Sequence, residues 1–169
     1  PWPRAAATPL AVAGRCIVRL DRRGKFLLLR LDRGWLVVHL RMTGRLVVAR
    51  EPPARTTAAF RLDSGDWFCL VDMRKFGRAW QVARASEVVG HLGPEPLSRT
   101  FTAARFEAML APRRARLKPL LLNQRFLAGL GNIYVDESLH AARIHPLRTA
   151  DSLSAGEVRR LHRRVRTIL

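Results

Sequence analysis

From Cys16 to Val82 apolar positions come in short runs, several alternating with polar ones, and a turn breaks the pattern about every ten residues. Seven strands are predicted: Cys16–Leu20, Lys25–Leu31, Trp35–Leu40, Arg45–Val48, Ala58–Leu62, Trp67–Val71 and Arg78–Val82. Asp21-Arg22-Arg23-Gly24, Asp32-Arg33-Gly34 and Asp63-Ser64-Gly65 supply turn residues, and Pro52-Pro53 marks a loop between two hairpins. Short strands at this spacing read as an antiparallel meander folded into a sandwich or barrel. After Gly93-Pro94-Glu95-Pro96 the period changes. Thr102–Leu110, Leu117–Asn123, Asn132–Ala142 and Ser154–Leu169 are predicted helices, with Leu127-Ala128-Gly129-Leu130-Gly131 as a glycine turn and Ile144-His145-Pro146 as a break. Ser154 and Glu157 stand at capping-box spacing. The expectation is an α+β chain, with an antiparallel β-sandwich over residues 1–97 and a helical domain over 98–169.

Charge changes the picture next. Of 169 residues, 31 are basic and 13 acidic, a net charge of +18. The excess is even: 17 basic against 8 acidic residues up to Leu97, and 14 against 5 after it. Hydrophobic residues make up 48%, enough for a packed core and too many for a disordered basic tail. A folded chain with this charge points to a polyanion, nucleic acid first, with a solvated arginine-rich surface as the bland reading. No apolar run approaches a membrane span, and Pro1-Trp2-Pro3-Arg4 lacks the apolar stretch of a signal peptide. Cys16 and Cys69 are isolated, so they are expected to be small buried hydrophobes in a reducing cytoplasm. A helix still running at Leu169 suggests that the natural protein continues.

Several motifs in sequence order resemble the formamidopyrimidine-DNA glycosylase family. They are Arg22-Arg23-Gly24-Lys25-Phe26-Leu27-Leu28-Leu29, Gly34-Trp35, His39-Leu40-Arg41-Met42-Thr43-Gly44, Asp72-Met73-Arg74-Lys75-Phe76-Gly77 and Leu92-Gly93-Pro94-Glu95-Pro96-Leu97. Gln124, Ala128-Gly129-Leu130-Gly131-Asn132-Ile133-Tyr134-Val135-Asp136-Glu137 and Ile144-His145-Pro146 complete the set. The oxidised-purine branch is the nearer of the two in the family. The resemblance implies a β-sandwich followed by a helix-two-turn-helix domain, with damaged double-stranded DNA between them. It implies a bifunctional glycosylase and abasic-site lyase, monomeric, in a bacterial cytoplasm at the nucleoid.

That chemistry assigns tasks to residues. An enzyme acting on a base in a duplex must extrude it and fill the space left behind. Met42, Arg74 and Phe76 match the family's void-filling trio. Arg74 and Phe76, two apart, would share one side of an extended segment. Lys25 matches a lysine that touches DNA at the lesion and assists proton transfer. Asn132, at a helix start, matches a phosphate grip. Arg113 falls at a basic DNA contact, and Arg55 replaces a histidine of the family pattern. Glu137 matches an acid near the active site, with a surface ion pair as its alternative. Two family parts are missing: the N-terminal proline amine followed by glutamate, which Pro1-Trp2-Pro3 does not reproduce, and the C-terminal four-cysteine zinc finger. No cofactor is expected within this chain, and it is expected not to excise a base by itself. A catalytically silent DNA-binding homologue and an RNA-associated basic protein are the alternatives.

Overall fold

The computed structural model describes residues 10–169. They form two compact units, one up to Gly90 and one from His91 to Leu169. The stretch Leu92–Leu97, expected to close the first domain, belongs with the helices. The Gly93 amide donates to Gln124 O (2.9 Å), the Ala128 amide to Pro94 O (3.0 Å), and Arg166 donates to Pro96 O and Ser98 O (2.6 and 2.9 Å).

The first unit contains β1 (Ile17–Arg23), β2 (Phe26–Leu31), β3 (Trp35–His39), β4 (Arg45–Ala49), β5 (Thr56–Arg61), β6 (Trp67–Val71) and β7 (Arg78–Val82). A four-stranded antiparallel sheet runs β1-β2-β3-β7, and a three-stranded one β4-β6-β5. The meander is therefore partial. The loop through Pro52-Pro53 carries the chain from one side of β6 to the other, rather than joining two hairpins. Leu29, Leu31, Leu36 and Val38 of the larger sheet meet Leu70 of the smaller, with Phe60 and Phe68 packed beside them. Phe26, Leu28, Val37 and Trp80 are buried on the opposite face of the larger sheet. Burial on both faces is why β2 reads as a continuous apolar run in place of an alternation. A short helix, α1 (Ser86–Val89), packs against β7. The predicted Asp21–Gly24 turn is shorter than expected. β1 continues to Arg23, pairing with Phe26, and only Gly24 and Lys25 turn. Cys69 is buried as expected, whereas Cys16 is exposed, since it precedes β1 at the sheet edge.

The second unit contains α2 (Ala103–Leu110), α3 (Leu117–Leu122), α4 (Asn132–Ala141), a 3-10 turn (Ala150–Ser152) and α5 (Ala155–Ile168). Thr102 caps α2 by accepting from the Arg105 amide at 3.2 Å. The Ser154–Glu157 capping box is formed at the start of α5. Phe106, Leu117, Leu121, Leu127, Leu139, Leu161 and Val165 belong to one core in which all the helices share. Helix α4 stops where Arg143 adopts φ 54° and the Ile144 amide returns to Leu139 O. Such a left-handed residue terminates a helix by redirecting the chain while satisfying its last carbonyls.

Candidate nucleic-acid interface

Asp72 organises the most unusual surface of the first unit. It follows β6, is fully buried, and its carboxylate accepts from Thr43 Oγ1 (2.5 Å), the Gly77 amide (2.6 Å) and the Arg74 amide (3.1 Å). The Phe76 amide also points to it. The Thr43 hydroxyl, then the Gly77 amide, hold its pKa down at about 2, because each donor favours the charged form. One ionised side chain thereby ties the β3–β4 loop, through Thr43, to the β6–β7 loop.

Both loops thrust apolar side chains outward. Met42 is 75% exposed and Phe76 45%. The Arg74 guanidinium lies between them, with Nη1 3.6 Å from Met42 Sδ and its carbon 4.7 Å from the Phe76 ring centre. The segment is a turn and not the extended run that the spacing suggested, with Lys75 at φ 56° between Arg74 and Phe76. Arg41, just before Met42, has φ 59°. Left-handed conformations at non-glycine residues cost of order 1 kcal/mol or more, and persist when surrounding bonds over-determine them. Here those bonds converge on Asp72 and His39. Arg55, also at φ 65°, is exposed, and its carbonyl accepts from the Asp72 amide at 3.1 Å. The structure therefore brings Met42, Arg74 and Phe76 together, with Arg55 beside their common support.

Lys25 turns the β1–β2 hairpin next to this region. Partial desolvation lowers its pKa from the ordinary 10.5. Phe26 pairs with His39 across β2 and β3, and their rings meet edge to face at 4.7 Å. Burial, then the charges of Arg41 and Lys25, push the His39 pKa down to about 4, so the imidazole is neutral at pH 7. Its Nδ1 accepts from the Arg41 amide at 3.0 Å, which fixes the entry to the Met42 loop. Sequence reasoning missed His39, Thr43 and Asp72 as supports. An aspartate followed within five residues by a glycine was the available turn signal.

In the second unit the feature is the N-terminus of α4. Gln124 donates from Nε2 to Leu122 O (3.1 Å) and Leu130 O (2.8 Å), and its Oε1 accepts from the Gly129 amide (2.9 Å). Gly129 has φ 95°, which a side chain would strain. Gly93 lies so close that a Cβ there would come within 2.5 Å of Arg125 O. Its place in the motif is thus a close approach between two loops. Gly131 then caps α4 without a side-chain bond, leaving Asn132 exposed at the first helical position. Unpaired amides and the positive end of the helix dipole make this end suited to an anion. Lys118 pairs with Asp136 at 2.8 Å and ties α3 to α4. Glu137 is exposed and makes no ion pair among the described residues, so the surface salt bridge entertained for it is not formed. Arg113 stacks its guanidinium 5.1 Å from the Phe126 ring and donates from Nε to Met109 O (3.0 Å), remaining exposed. Pro1 lies outside the described residues. Among the described residues no group of three or more His, Cys, Asp or Glu could hold a metal ion.

Two antiparallel sheets followed by a helical unit with a glycine-built turn before α4 define a β-domain joined to a helix-two-turn-helix domain. Residues 2–79 match the formamidopyrimidine-DNA glycosylase N-terminal domain, and residues 92–169 match the formamidopyrimidine-DNA glycosylase H2TH domain. The formamidopyrimidine-DNA glycosylase of Heliobacterium modesticaldum is 51% identical over 170 residues, covering 94% of this chain and 61% of its own. The crystal structure of the MutM (Fpg) protein from Thermus thermophilus superposes with TM-score 0.82 at 46% identity, covering 91% of this chain and 59% of that one. A Lactococcus lactis Fpg bound to Fapy-dG-containing DNA gives 0.83 at 31% identity, covering 91% and 61%. A complex of the same bacterium's protein with THF-DNA and an inhibitor gives 0.86 at 30%, covering 98% and 67%. The chain belongs to the formamidopyrimidine-DNA glycosylase family and spans about 60% of the length of the first of these relatives. No helix among the described residues is long and apolar enough to cross a membrane.

Proposed function

We propose that the protein containing this chain is a base-excision repair glycosylase. It removes oxidised purines, 8-oxoguanine and formamidopyrimidines, from double-stranded DNA and cleaves the strand at the resulting abasic site. The observation that carries this reading is the Met42–Arg74–Phe76 cluster. Two exposed apolar side chains flank one arginine on a base that Asp72 holds rigid. Extruding a base costs a few kcal/mol of unstacking, and a preformed wedge offsets it by filling the gap. Arg74 supplies donors to the base left without its partner. Lys25, with its ammonium pKa lowered, gives up a proton more readily than an ordinary lysine and would relay protons during strand cleavage. Glu137, exposed and unpaired among the described residues, would orient the attacking amine supplied by the N-terminal segment. Asn132 and the α4 amides, with Arg113 and Arg55, would grip phosphates, which fix register without reading sequence. Zinc would serve a DNA-contacting finger outside this sequence. The protein acts as a monomer on nucleoid DNA in the bacterial cytoplasm.

The test compares two substrates in the full-length protein. Arg74→Ala and Phe76→Ala should slow excision of 8-oxoguanine from a duplex about 10- to 100-fold while affecting cleavage of a preformed abasic site much less. That range corresponds to losing part of the few kcal/mol of extrusion energy. Equal losses on both substrates would remove the wedge from the mechanism.

A further inference from the structure

Helix α5 carries positive charge outside the Asp72 cluster and the α4 N-terminus. Its residues Val158, Leu161 and Val165 are buried in the core of the second unit. Five of its other residues are arginines: Arg159, Arg160, Arg163, Arg164 and Arg166. Two of them are engaged inside the unit. Arg160 donates from Nε to Ala142 O (2.7 Å), and Arg166 donates to Pro96 O and Ser98 O. The other three, Arg159, Arg163 and Arg164, are exposed, and their guanidinium groups have no hydrogen-bond or ion-pair partner among the described residues. The one acid of the helix, Glu157, is held by Arg148 and by the Ser154 amide. Like charges stand at i, i+4 in two rows, Arg159 with Arg163 and Arg160 with Arg164, an arrangement that destabilises a helix by itself. The Arg160–Ala142 bond also places Arg143, exposed and at φ 54°, on the flank of this surface.

We propose that this face of α5 is a second phosphate-binding surface, which takes the backbone of an undamaged duplex segment. Four residues of helix rise about 6 Å, comparable to the rise of two phosphates of one strand measured along the duplex axis, about 3.4 Å each. Exposed guanidinium groups bind phosphate oxygens through paired donors. The surface is distinct from the α4 N-terminus. Arg160 meets the chain at Ala142, just past the opposite end of α4 from Asn132, and α4's ten residues separate those ends by about 15 Å. The three free arginines turn away from the residues that α5 buries against the core. The ligand of this surface is intact DNA, so its binding is independent of the lesion chemistry.

The experiment measures binding of the 169-residue chain to an undamaged duplex between about 50 and 200 mM salt. Arg159→Gln, Arg163→Gln and Arg164→Gln together should lower the slope of log affinity against log salt by about 2 to 3, since each phosphate contact contributes about 0.9. A control removes equal charge from exposed arginines of the first unit, Arg33→Gln, Arg50→Gln and Arg84→Gln, and should leave the slope within about half a unit of its starting value. Thermal unfolding of the α5 variant should be unchanged or slightly raised, as like-charge pairs have been removed. If it does not fold, Arg163→Gln alone should change the slope by about 0.9. An unchanged slope, or an equal fall in the control, overturns the proposal. So does polyglutamate binding as tightly as duplex DNA and losing affinity in the same α5 variant, which would make the surface a site for acidic protein.

Discussion

The two units present their candidate DNA-binding groups in opposite ways. In the β unit, Met42 and Phe76 stand in solvent on loops with left-handed residues at Arg41 and Lys75, braced by the single carboxylate of Asp72. In the helical unit, Asn132 and the amides around it sit at the end of a regular helix, braced by Gln124 and a continuous apolar core. The difference follows from what the role proposed for each requires. A wedge has to hold apolar groups out of the core against the hydrophobic effect, so it needs a polar anchor and tolerates strain. A phosphate grip, the role proposed for Asn132, needs only backbone donors in a fixed direction, which a helix start without a side-chain cap already supplies.

The largest effect is expected where that anchor is removed. Asp72→Ala in the full-length protein should reduce excision from duplex DNA about 100-fold, because the wedge loops lose their shared support and a few kcal/mol of extrusion energy goes unmatched. Thr43→Val deletes one donor to the same carboxylate and should give a smaller loss in the same assay, with thermal unfolding recorded to separate loop disorder from global unfolding. Full activity in both variants would mean that the loops hold their shape without Asp72.

Asn132→Ala should weaken damaged and undamaged duplexes by the same factor, about 10-fold. One hydrogen bond to a charged phosphate is worth about 1.5 kcal/mol, and phosphates carry no lesion information. Titration with matched oxidised and intact duplexes measures it, and a loss confined to the oxidised duplex would transfer Asn132 to base recognition.

Acid should separate the units. The His39 pKa falls from 6.5 in the unfolded chain to about 4 in the fold. Between those values the unfolded state binds a proton that the native state refuses, so the β unit loses stability as pH falls from 6.5 to about 4. Glu157 behaves oppositely in origin. Its pKa is lowered from 4.5 to about 2 by Arg148, then by the Ser154 amide, so its contribution is intact above pH 4.5 and is lost only as pH falls toward 2. Residue-resolved hydrogen exchange at pH 7, 5 and 3 should show β3 amides losing protection before α5 amides. His39→Gln should remove the first loss.

The smallest effect belongs to the cap of α5. Ser154→Ala removes the side chain that accepts from the Glu157 amide and should cost about 1 kcal/mol of stability in denaturant unfolding, with DNA affinity unchanged.

Among the described residues, each of the seven strands and four longer helices corresponds to a segment that hydrophobic period and turn residues mark in the chain. Local chemistry suffices there, because an alternating or 3.6-residue pattern must bury its apolar side and glycine or aspartate must break it. Ser86–Val89 and Ala150–Ser152 escaped because four or three residues are too short to show a period. The motif residues Met42, Arg74, Phe76 and Asn132 were also legible, by kind and by order. Their arrangement was decided elsewhere. Asp72 is 29 residues from Thr43, and Gly93 reaches Gln124 and Arg125 across another loop. Whether Met42 belongs to the core or to solvent depends on those long-range bonds, since its own side chain favours burial. Pairings of that kind form only when the chain has folded, so tertiary structure alone could hold in solvent an apolar side chain whose own chemistry favours burial.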